Sequence, residues 1–133
     1  MKFRYLRYGT LVRPVIPIGV RHGDRSVTYR VLVDSGADIC VFDTELAEAL
    51  GITMSMGVPR ELFGVGAKAS VCYMHKVTID VAGWPYEIEA CFMKSVGGRV
   101  APYGIVGQQG FFDHFVVKFD LQDEEVELKQ KGK

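Results

Sequence analysis

The sequence predicts a mostly-β, barrel-like domain with two short helices. Three observations carry this. Short stretches of alternating apolar and polar residues recur along the whole chain, glycine-containing turns separate them, and only two stretches have helical spacing. The chain has 133 residues, so residues 1–133 are expected to form a single domain. A chain of this size buries roughly two-thirds of its unfolded surface, enough for a core of its own. Hydrophobic residues make up 48% and charged residues 24%, an ordinary globular balance.

Taken in order, residues 1–12 have no clean period and read as an N-terminal arm or an edge strand. Val15 to Val20 is strand-like, with Pro14 and Pro17 confining it to a sheet edge or a strand start. His22 to Arg25 is a turn. Val27, Tyr29, Val31 and Val33 then alternate with polar residues, giving the second arm of a hairpin. Ile39 to Phe42 is a further apolar strand. Asp43 is a natural N-cap for a helix over Thr44–Leu50 that Gly51 closes, with Leu46, Ala49 and Leu50 on its apolar face.

Gly57 to Cys72 is glycine-rich and contains Gly64-Val65-Gly66-Ala67-Lys68-Ala69, a match to the dinucleotide-binding fingerprint. That fingerprint requires a following helix. Val71, Tyr73, Val77, Ile79 and Val81 alternate as a strand instead, so the nucleotide reading fails and a hairpin tip remains. Ala82 to Pro85 is a turn, and Ile88, Ala90 and Phe92 mark another strand. Ser95 to Arg99 is a loop and Ile105-Val106-Gly107 a short buried strand. Gln108 to Phe115 reads as the second short amphipathic helix. Phe115 to Leu121 and Val126 to Leu128 form a closing hairpin, and residues 129–133 read as a frayed basic tail.

Lysine plus arginine and aspartate plus glutamate number 16 each, which argues against electrostatic capture of nucleic acid or anionic lipid. No apolar run is long enough to span a membrane, and Met1 to Tyr8 lacks the apolar centre of a signal peptide, so a cytoplasmic location is expected. Cys40, Cys72 and Cys91 are odd in number and far apart. They are expected to be buried free thiols, with no disulfide framework, zinc site or other metal, and no cofactor is expected. Nothing local supports a cysteine nucleophile with His22, His75 or His114.

The stretch that organises the chain is Val31-Leu32-Val33-Asp34-Ser35-Gly36-Ala37-Asp38. A buried strand runs into a tight turn, and Asp34 sits where the rigid strand hands over to the loop. A carboxylate on such a support is how acid–base sites are built; an ordinary Asx-turn is the bland alternative. This motif resembles the active-site sequence of the retroviral-type aspartic proteases, the retropepsins. Two further stretches match in order: Leu62-Phe63-Gly64-Val65-Gly66 is similar to the family's flap tip, and Gly104-Ile105-Val106-Gly107 to the segment beside the catalytic turn.

The resemblance implies a closed acid-protease barrel, one lobe per chain, working as a homodimer on peptide or protein substrate. Asp34 would be the catalytic residue, paired across a two-fold axis with its copy. Ser35 and Gly36 would support the turn. Ala37, Asp38, Phe63, Gly64, Val65, Gly66, Ile105 and Val106 would contact substrate, with Gly107 as structural support. The glycine-rich segment would be a mobile flap; a plain connecting loop is the alternative. Two departures stand out. Gln108 occupies the place where retroviral relatives carry an arginine that pairs with the acid equivalent to Asp38, so Arg4, Arg7 or Arg13 of either subunit is expected to take over. The closing hairpin is an addition typical of the cellular and bacterial branch. The alternative from another class is a non-catalytic peptide-binding or dimerisation module on the same fold.

Overall fold

A computed structural model of the chain describes residues 1–62, 70–93 and 103–132. The strands are β1 (Lys2–Arg4), β2 (Leu6–Tyr8), β3 (Leu11–Arg13), β4 (Val15–His22), β5 (Arg25–Val33) and β6 (Cys40–Asp43). Helix α1 (Thr44–Ala49) and a 3-10 turn (Met54–Met56) follow, then β7 (Val58–Leu62), β8 (Ser70–Val81), β9 (Trp84–Met93), β10 (Gly104–Val106), β11 (Phe115–Asp120) and β12 (Glu125–Gln130). The main sheet runs β4-β5-β10-β6-β9-β8-β7, and an additional β4–β8 pairing closes its first six strands into a barrel. A second sheet, β1-β12-β11, and the two-stranded β2-β3 hairpin flank it.

Alternation builds the interior. Ile16, Ile18 and Val20 of β4, Val31 and Val33 of β5, Phe42 of β6, Ile79 and Val81 of β8, and Phe92 of β9 all point into one core. Such a layer of branched and aromatic side chains is what a small barrel needs to fill its centre. The opposite faces of β6, β8, β9 and β10 carry a second apolar cluster of Ile39, Val41, Cys72 and Cys91, with Leu62, Met74, Met93 and Ile105 packed on it.

The turns follow their residues. Gly23, at φ +61°, opens the two-residue β4–β5 turn, and Ala82 and Gly83, both at positive φ, make the β8–β9 turn, so β9 already begins at Trp84. Pro17 sits where β4 pairs with β5 alone, while Gly19 to Arg21 pair on both sides. The edge expectation therefore holds for the half that carries the proline and not for the rest. In α1 the Asp43 side chain caps the Glu45 amide, an interaction worth about 1 kcal/mol. Its buried face is Leu46, Ala47 and Leu50; Ala49 points outward, contrary to the expected stripe.

Two expectations are corrected. Gln108 to Phe115 is not a helix but a series of tight turns: Phe112 and Asp113 donate to the carbonyls of Gly107 and Gln108 five residues back, and His114 donates to Phe111. Gly110 at φ +99° is the physical cause, since that conformation ends any right-handed helix. The second helical element is instead the 3-10 turn at Met54–Met56. The expected free thiols are also wrong for two of the three cysteines. Cys72 and Cys91 lie on the same face of the paired β8 and β9, with Cα atoms 5.6 Å apart, and are joined as a disulfide. Cys40 alone is a buried free thiol. Residues 1–12 also find partners within the chain: β1 pairs with β12, and β2 with β3. The strand β12 runs on to Gln130, so Lys129 and Gln130 are strand residues. The loop expected over Ser95 to Arg99 lies outside the described residues.

Burial pushes the Tyr29 phenol up from 10.0 to about 12 and the Cys40 thiol from 9.0 to about 12. Both groups hold their protons in the folded chain at a pH where the unfolded chain has released them. Their stabilising contribution is complete below pH 9 and is lost as pH rises toward about 12. Denaturant unfolding should show stability falling across that window. Cys40→Ala, less stable than wild type at neutral pH because it leaves a small cavity, should lose less over the same window. Parallel pH profiles for the two proteins would refute the assignment.

Candidate active site

The strand β5 delivers Asp34 to the surface beside β10. The two run parallel with Gly104 opposite Val31 and Val106 opposite Val33, and the Asp34 amide continues the ladder by donating to the Val106 carbonyl at 3.0 Å. The chain then turns: the Ala37 amide donates to the Asp34 carbonyl at 3.2 Å, and the Gly36 amide donates to Asp34 Oδ1 at 2.9 Å. Asp34 is half-buried, Ser35, Gly36 and Asp38 are exposed, and Ala37 is intermediate. The carboxylate is thus fixed at one oxygen by a backbone donor while its surroundings remain open.

The segment after β10 locks the turn from below. The Gln108 amide donates to the Ala37 carbonyl at 2.8 Å, the Gln109 amide to the Asp38 carbonyl at 2.9 Å, and Gln109 bridges Ile39 in parallel. Gly107 is required here. A Cβ at that position would lie 2.5 Å from the Ala37 carbonyl oxygen and 2.6 Å from that of Ile39, both backbone atoms of the Asp34 loop. Gly104 is the matching residue at the other end of β10, where a Cβ would meet the Tyr29 ring at 2.5 Å and the Phe42 ring at 2.9 Å. Only the fold reveals this constraint, because the two rings come from distant strands.

Ile105 is half-buried on the same apolar face as Ile39, Val41, Leu62, Met74 and Met93, next to the Asp34 turn. Val106 is wholly buried in the main core: successive residues of a strand point to opposite faces, and Val106 takes the inner one. The expected flap residues Phe63, Gly64, Val65 and Gly66 lie outside the described residues. The strands that carry the segment are described: β7 pairs antiparallel with β8, with Leu62 opposite Ser70.

None of the cations expected to serve Asp38 does so within the chain. Arg7 pairs with Glu124, and Arg13 donates to the Tyr103 hydroxyl and stacks near its ring. Gln108, in place of the arginine, turns its side-chain amide onto the Ser35 carbonyl at 2.6 Å. Among the described residues no group of three His, Cys, Asp or Glu side chains is placed to hold a metal ion, and no helix is long and apolar enough to cross a membrane.

In the closed β-barrel the Asp-Ser-Gly turn is hydrogen-bonded and rests against the strand that ends in Gly107. The family model described as aspartyl protease matches residues 18–109, more than half of the chain. The chain belongs to the aspartyl protease family. Its fold is similar to that of a retropepsin-like aspartic protease from Rickettsia conorii, at 14% identity and a TM-score of 0.70, covering 96% of this chain and 89% of that one. It is also similar to the retroviral protease-like domain of Ddi1 from Leishmania major, at 18% identity and a TM-score of 0.54, covering 88% of each. No curated protein matches the sequence. The retropepsin-like fold expected from the sequence is therefore the one this family member adopts.

The two glycines of the site should respond differently to an added methyl group. Gly107→Ala forces backbone of the Asp34 loop to move and should cost about 2–4 kcal/mol in urea unfolding. Among the described residues Gly36→Ala meets only Asp34 Oδ1, at 3.3 Å, and should cost less than about 1 kcal/mol. Similar losses at both positions would contradict the cradle.

Proposed function

We propose that this aspartyl protease family member is an endopeptidase in which Asp34 of two copies activates water at a two-fold axis. The observation that carries the reading is the turn itself: one carboxylate, held at Oδ1 by the Gly36 amide at 2.9 Å and left open at the surface. Protease chemistry of this kind needs two carboxylates close enough to share one proton, because like charges at that range do not both ionise. The chain contains a single Asp-Ser-Gly, so a second copy supplies the other. A two-fold axis beside the turn brings identical residues together, an isologous arrangement.

The chemistry follows from the pair. The ionised carboxylate takes a proton from water as the oxygen attacks the scissile carbonyl carbon. The protonated carboxyl gives its proton to the carbonyl oxygen, leaving a neutral tetrahedral diol. Collapse of the diol breaks the C–N bond, the amine leaves with a proton, and the dyad returns to its singly protonated state. The half-buried Ile105, backed by the buried Ile39 and Val41, suits an apolar side chain of an extended peptide, and Asp38 and the Gly36 carbonyl are the polar groups available to its backbone. Phe63 to Gly66, carried between β7 and β8, would close over the peptide and exclude water.

Digestion of a peptide library, read by mass spectrometry, tests the proposal. Wild type should cleave. Asp34→Asn should fold normally, since the amide keeps an oxygen for the Gly36 donor, and should lose activity by about 10⁴-fold or more. Substitution removes both carboxylates of a dimer at once and with them the repulsion between the two copies. The mutant should therefore dimerise at least as tightly as wild type at neutral pH. A wild type that binds peptides without cutting them would instead make the chain a peptide-binding module.

A further inference from the structure

We propose that Gln108 is the positioning residue of the catalytic turn, acting on Asp34 through the single peptide group between Ser35 and Gly36. The inference rests on the protease reading above and adds a part to it. Gln108 Nε2 donates to the Ser35 carbonyl at 2.6 Å. The Gly36 amide donates to Asp34 Oδ1 at 2.9 Å. That carbonyl and that amide belong to one peptide unit, which is planar and rigid. A tilt of the plane at the oxygen end is a tilt of the N–H at the other.

Gln108 therefore does two things at a distance. It fixes the orientation of the peptide plane, and so the direction in which the Gly36 N–H meets the carboxylate. It also polarises the carbonyl, which strengthens the N–H as a donor, since hydrogen bonds in a chain reinforce one another. The Gln108 main chain is itself anchored: its amide donates to the Ala37 carbonyl at 2.8 Å and its carbonyl accepts from the Asp113 amide at 3.1 Å. The side chain thus departs from a fixed point, and its reach to Ser35 is set by the backbone. An arginine at this place would serve an acid. A glutamine, uncharged and shorter, serves a carbonyl instead. Gln108 is exposed, so its bond contributes little to global stability and its purpose is local.

Two variants test this. Gln108→Met keeps length and flexibility but removes the donor; Gln108→Glu keeps shape but sets an acceptor against the Ser35 carbonyl. Both should melt within a few degrees of wild type. Both should lower kcat about tenfold or more while KM changes little, because misplacing a reacting group affects the chemical step. Exchange of the Gly36 amide, followed by NMR, should accelerate about tenfold in both, as its bond to Asp34 weakens. Unchanged Gly36 exchange with unchanged kcat would overturn the inference, and so would a loss of kcat that only follows a loss of folded protein. If wild type cleaves no peptide, the protease reading fails, while Gly36 exchange still decides the role of Gln108 in the turn.

Discussion

The contact on which the site depends is the close approach of Gly107 to the Asp34 loop. The backbone of residues 37–39 lies so near β10 that there is no room for a Cβ at Gly107. That approach lets the Gln108 and Gln109 amides reach the carbonyls of Ala37 and Asp38, and the Asp34 amide reach Val106. An exposed loop, ordinarily the most mobile part of a β-protein, becomes an extension of a buried parallel ladder. A carboxylate so held does not have to be reordered when substrate arrives, which is the advantage of a preorganised site.

The barrel places this contact. Parallel pairing of β5 and β10 demands a long crossover between them, and residues 34–103 provide it by building β6 to β9 on the way. The same strands turn two faces to two tasks. Inward residues such as Phe42, Phe92 and Val106 fill the main core, and their neighbours Val41 and Cys91 form a second buried cluster on which the half-buried Ile105 packs. The Cys72–Cys91 disulfide ties β8, which carries one end of segment 63–69, to β9 within that cluster. The alternating pattern of each strand thus specifies the support and the candidate cleft together.

Much of this was legible in the residues because it is local. Alternation marked β5, β8, β9 and β11, Asp43 and Gly51 marked the ends of α1, and the run from Val31 to Asp38 marked the turn, while residues 1–12 and β7 carried no such period. What was not legible depends on register or on distant neighbours. The disulfide needs the β8–β9 pairing, which sets Cys91 opposite Met74 and brings it to Cys72; a spacing of 19 residues says nothing of that. The stretch Gln108 to Phe115 has helical spacing, but Gly110 takes a left-handed conformation under Cys40 and Ile88. The need for glycine at 104 comes from Tyr29 and Phe42. The substitution at Gln108 was visible as a departure from the family pattern, but its partner, the Ser35 carbonyl, appears only in the folded turn.

The central claim is that each active site takes one Asp34 from each of two chains. Mixing wild type with increasing Asp34→Asn protein, under conditions where subunits exchange, tests it most directly. If both carboxylates are required and come from different copies, activity per wild-type chain falls in proportion to the wild-type fraction, so at constant total protein the activity follows the square of that fraction. Activity that stays constant per wild-type chain, however much mutant is added, would show that one chain suffices and would contradict the account.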